Sequence, residues 1–146
     1  MTDIATLALQ ELAHRRRTAD RALAACQTTP AQVEGSLRYW AAIAARTGAT
    51  LPDDIAQKVR PGGDTVAPAW WDFTPPGECP TRFLRLALEE LQRATGAAII
   101  RHEKQPTEET LARGHRLMAL HREVAAPILG PLPLAIREPN DVRKAA

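Results

Sequence analysis

The side chains that could carry chemistry in this chain are four histidines, two cysteines and sixteen arginines. A metal site would have to be built from His102, Glu103, His115 and His121. The six-residue step from His115 to His121 is not the i, i+4 spacing that places two imidazoles on one helix face, so the histidines predict no metal centre. Cys26 and Cys79 lie far apart and form no CxxC or Cys/His cluster, which leaves neither a disulfide framework nor a zinc site to argue for. There is no glycine-rich phosphate loop and no Gly-x-Ser-x-Gly elbow, and no nucleophile has an identifiable base. The expectation is a chain without a cofactor, and the residues favour a non-enzyme.

Binding is the more promising chemistry, and three groups of residues invite it. Trp70, Trp71 and Phe73 are half of the chain's aromatic residues and fall together. Such rings anchor protein partners or stack on bases, and equally serve to pin a long loop to its own core. Leu132, Leu134 and Ile136 alternate between Pro131 and Pro133, so an extended segment would point them in one direction, ready to dock on its own bundle, in a second copy or against a partner. Arg15, Arg16 and Arg17, with His14 before them and Arg21 after, could contact phosphates from the first helix. Successive helical residues spread around the full circumference, however, and Glu11 and Asp20 are near enough to compensate them.

Two short segments resemble known families. Ile43-Ala44-Ala45-Arg46-Thr47-Gly48, followed by a short helix, resembles the helix-turn-helix of DNA-binding proteins. That resemblance would imply base reading by the second helix, where Asp53 and Asp54 instead place charge that repels DNA. Arg116 and His121 share the Arg-x4-His spacing of the HEPN ribonucleases, an all-helical family. That resemblance would imply that the two side chains act on an RNA backbone, usually from a dimer interface. Five residues along a continuous helix turn them about 140° apart, which does not converge them.

The elements that must position these groups are helices. Hydrophobic residues are 45% of the chain, but few are aromatic, and alanine and leucine supply most of them, which favours helix over sheet. Helix 1 is predicted from Asp3 to about Cys26, with Ala5, Leu9, Leu12, Arg16, Ala19, Leu23 and Cys26 in one seam whose single charged member is Arg16. Thr29-Pro30-Ala31-Gln32 predicts the start of helix 2, which buries Val33, Leu37, Trp40, Ile43 and Ala44 and ends at Gly48. A short third helix should follow Leu51-Pro52-Asp53-Asp54 and reach about Val59. Five prolines and three glycines between residues 60 and 80 predict a long irregular loop holding the aromatic cluster. Helix 4 is expected from Thr81 to Thr95 with Gly96 as its stop, and residues 97–102 are left open between a helical turn and an extended piece. Helix 5 should begin near Pro106-Thr107 and close at Pro127, with residues 128–136 extended.

The expected fold is therefore all-α: one domain over 1–139, a bundle of about five helices with a long aromatic loop and an extended apolar arm, then a flexible tail over 140–146. With 19 basic and 17 acidic residues the net charge is only +2, which permits nucleic acid without demanding it. The N-terminus does not read as a secretory signal and no apolar run approaches the ~20 residues that span a bilayer, so a cytoplasmic chain without membrane contact is expected. The leading functional expectation is a non-catalytic interaction protein, an adaptor, inhibitor or assembly subunit. Its partner, or a second copy, would be bound through Trp70, Trp71 and Phe73 or through Leu132, Leu134 and Ile136. The alternatives are a nucleic-acid-binding protein using Arg15, Arg16, Arg17 and Arg21, and more remotely a HEPN-like ribonuclease.

Overall fold

The first helix starts where an acid can satisfy its free amides. In the computed structural model, which describes residues 3–59 and 68–132, the Asp3 carboxylate accepts from the Thr6 amide at 2.8 Å and opens α1, Ile4–Ala24. The helix ends with Cys26 in the left-handed conformation (φ 58°) and the Gln27 amide donating back to the Ala22 carbonyl. This is the closure that glycine usually provides. Thr29 and Gln32 cap each other reciprocally with Pro30 in the first turn, opening α2, Pro30–Arg46, and Gly48 (φ 84°) closes it. The short helix α3, Asp53–Val59, follows.

Trp70–Phe73 forms a single 3₁₀ turn. It is followed by α4, Pro80–Lys104, and then by α5, Glu108–Leu120, which is capped by Thr107. No strand occurs among the described residues, and none of their helices is long and apolar enough to cross a membrane.

Three expectations are corrected. Gly96 does not stop α4, which continues through residues 97–102 to Lys104. An interior glycine costs about 1 kcal/mol relative to alanine, and the turns beyond it bury Ala98, Ile99 and His102, which outweighs that cost. Pro127 does not close the last helix, and Ile128 is not extended. After α5 the helix widens into a π turn over His121–Ala125, where the Ala126 amide reaches the His121 carbonyl, and then runs on as α6, Ala126–Leu129. A proline ring presses on the carbonyl four residues before it, here that of Glu123. The wider turn just before Pro127 accommodates the ring without ending the helix. The long loop, finally, is not irregular throughout, because its aromatic residues form the 3₁₀ turn.

The chain gathers into two compact units, Met1–Glu90 and Leu91–Ala146, and the division falls inside α4. In the first, α1 packs on α2, and the five consecutive buried residues Trp40–Ala44 show that α2 is enclosed on all sides there. Tyr39 stacks on Phe83, with ring centroids 5.5 Å apart. The face of α1 that is buried most deeply carries Ala8, Glu11 and Leu12, adjacent to the predicted seam, while Leu9, Arg16 and Leu23 are half-buried and Cys26 is exposed.

The second unit buries Leu91, Ala94, Ile99, Leu117, Leu120 and Val124. Two hydrogen bonds tie α4 to α5 there. The Thr95 hydroxyl donates to the Leu91 carbonyl at 2.7 Å and lies 3.4 Å from that of Leu117, and His102 Nδ1 bonds the Thr110 hydroxyl at 2.8 Å.

Candidate functional site

The aromatic turn is built from four residues with different tasks. Asp72 folds back to accept from the Ala69 amide at 2.8 Å, which fixes the turn's entry. Phe73 is only 2% exposed and anchors the turn in the core, and the Arg38 guanidinium donates to its carbonyl at 3.0 Å. Trp70 is half-buried, with the Arg46 guanidinium 5.9 Å from its ring centre. Trp71 meets Trp70 edge-on at 5.6 Å and is 55% exposed. The three rings therefore separate: Phe73 is core and does not offer itself to a partner, Trp70 supports, and Trp71 is presented to solvent on a pinned turn.

Beside the turn, Phe73 also lines a hollow of about 250 Å³ between α1, α2 and α3. Its apolar lining comes from Val33, Leu37, Ala41, Ile55, Val59 and Phe73. Around it Arg16 on α1 pairs with Asp54 on α3, and Arg38 lies 3.6 Å from Glu34 within α2. A second hollow of about 500 Å³ lies along α1 beside Leu9, Leu12 and Leu51, and Arg16 and Asp20 line both.

The C-terminal arm is only partly in view. Leu132 is half-buried, whereas Leu134 and Ile136 lie outside the described residues. The basic cluster is divided by its own fold. The Arg15 side chain bonds the fully buried carboxylate of Glu11 at 2.8 Å and lies 4.3 Å over the Trp40 ring, and Arg16 is held by Asp54. Arg17 and Arg21 are exposed. In the segment resembling a helix-turn-helix, α3 turns Asp54 toward α1 through the pair with Arg16.

Arg116 and His121 lie at different depths. His121 is 2% exposed at the head of the π turn, its Nε2 has no partner among the described residues, and burial pushes its pKa below the ordinary 6.5. The imidazole is thus held neutral and shut away from a polyanion, while Arg116 lies half-buried on α5. Among the described residues no three His, Cys, Asp or Glu side chains are grouped to hold a metal ion. Cys79, just before α4, has its thiol pKa lowered by hydrogen bonds from the Arg82 and Thr81 amides.

Sequence reasoning missed two features. Glu11, near enough in sequence to compensate the arginines, is wholly buried and bonds Arg15, whose guanidinium lies over the Trp40 ring. The hollow between α1, α2 and α3 was also missed, although the lone charge of Arg16 within an apolar seam was a signal for it. Compared with family models, curated proteins and solved structures, the chain matches none of them.

Proposed function

We propose that this chain is a non-catalytic protein-interaction module and that Trp71 is the anchor residue of its partner surface. One observation carries the reading: a tryptophan more than half exposed on a turn held by Asp72, Phe73 and Arg38. A large ring that solvent still reaches, on a backbone that need not be ordered on binding, has the chemistry of an interface hot spot. The nucleic-acid reading gains less support, since two of its four arginines are engaged within the fold and Arg17 and Arg21 alone form a small phosphate footprint.

The test is affinity capture from the native host with the unaltered chain and with Trp71→Ala, alongside thermal unfolding of both. The expected result is that a protein retained by the unaltered chain is lost by the variant while the unfolding midpoint stays within about 2 °C. A midpoint lowered by roughly 4 °C or more would show that the ring is structural. Retention of nucleic acid, lost on raising salt and indifferent to Trp71→Ala, would replace the reading with the alternative.

A further inference from the structure

We draw no further inference here: the strongest candidate, the edge-on ring pair of Trp70 and Trp71 beside the Arg46 guanidinium on the 3₁₀ turn, belongs to the partner surface already described, and nothing in the structure shows what covers it.

Discussion

His121 is a buried titratable side chain whose Nε2 has no partner among the described residues, and this makes it a source of acid sensitivity. Because burial lowers its pKa from 6.5, the unfolded chain takes up a proton at pH values where the folded ring stays neutral. Its contribution leaves stability flat above 6.5, lowers it as pH falls below that value, and flattens again once the folded ring titrates too. Replacing the ring by an apolar group of similar size removes an unsatisfied buried nitrogen, a change that is neutral or stabilising. The His121→Leu chain is therefore expected to unfold at or above the normal midpoint at neutral pH and to lose less stability on acidification. Thermal melts of the two chains across this range check it, and parallel curves would show that the imidazole is not the titrating group. Glu11 illustrates what residue types alone do not disclose. An acid four residues before an arginine predicts a surface pair, whereas here the carboxylate is wholly buried and the arginine lies over the Trp40 ring of a second helix.

At the scale of elements, the helix starts were the most legible part of the sequence, because a cap is a local arrangement whose partners lie within four residues. Asp3 and Thr29 cap where their spacing predicts, and Thr107 caps at the predicted start of helix 5. Helix ends were less legible, since they depend on what the next turn buries. Gly96 and Pro127 both carry a stop signal, and both are overridden, the first by burial of Ala98 and Ile99 and the second by the wider turn before it. Gly96 consequently sits in the interior of a helix with open space where a Cβ would be added. Gly96→Ala should stabilise the chain by roughly 0.5–1 kcal/mol. Chemical denaturation measures this, and an unchanged or lowered denaturation midpoint would show that the position needs glycine for another reason. The 3₁₀ turn was hidden for a similar cause. Prolines on both sides predict irregular chain, and the turn depends on Asp72 reaching back to Ala69 and on Phe73 finding the core.

At the scale of the whole molecule, composition was enough to give an all-helical fold, since alanine and leucine in abundance with few aromatic residues favour helix over sheet. The candidate surfaces were legible only as residue types. The sequence brings Trp70, Trp71 and Phe73 together, but their different depths follow from the turn's attachment to α2. It likewise lists Arg15, Arg16, Arg17 and Arg21 as equals, whereas two of them hold the fold and two face solvent. The hollows could not be read at all, because a hollow is defined by what neighbouring helices fail to fill.

The three tryptophans end at three depths: Trp40 enclosed, Trp70 half-enclosed and Trp71 open to water. They supply the chain with an internal optical gauge that requires no label. Iodide should quench only part of the intrinsic emission, and Trp71→Phe should remove most of the quenchable, red-shifted share while leaving the blue-shifted emission of Trp40. A partner that covers Trp71 would then announce itself as a blue shift and a loss of iodide access. A partner bound away from this turn would leave both unchanged, so light emission alone reports whether the turn is the surface used.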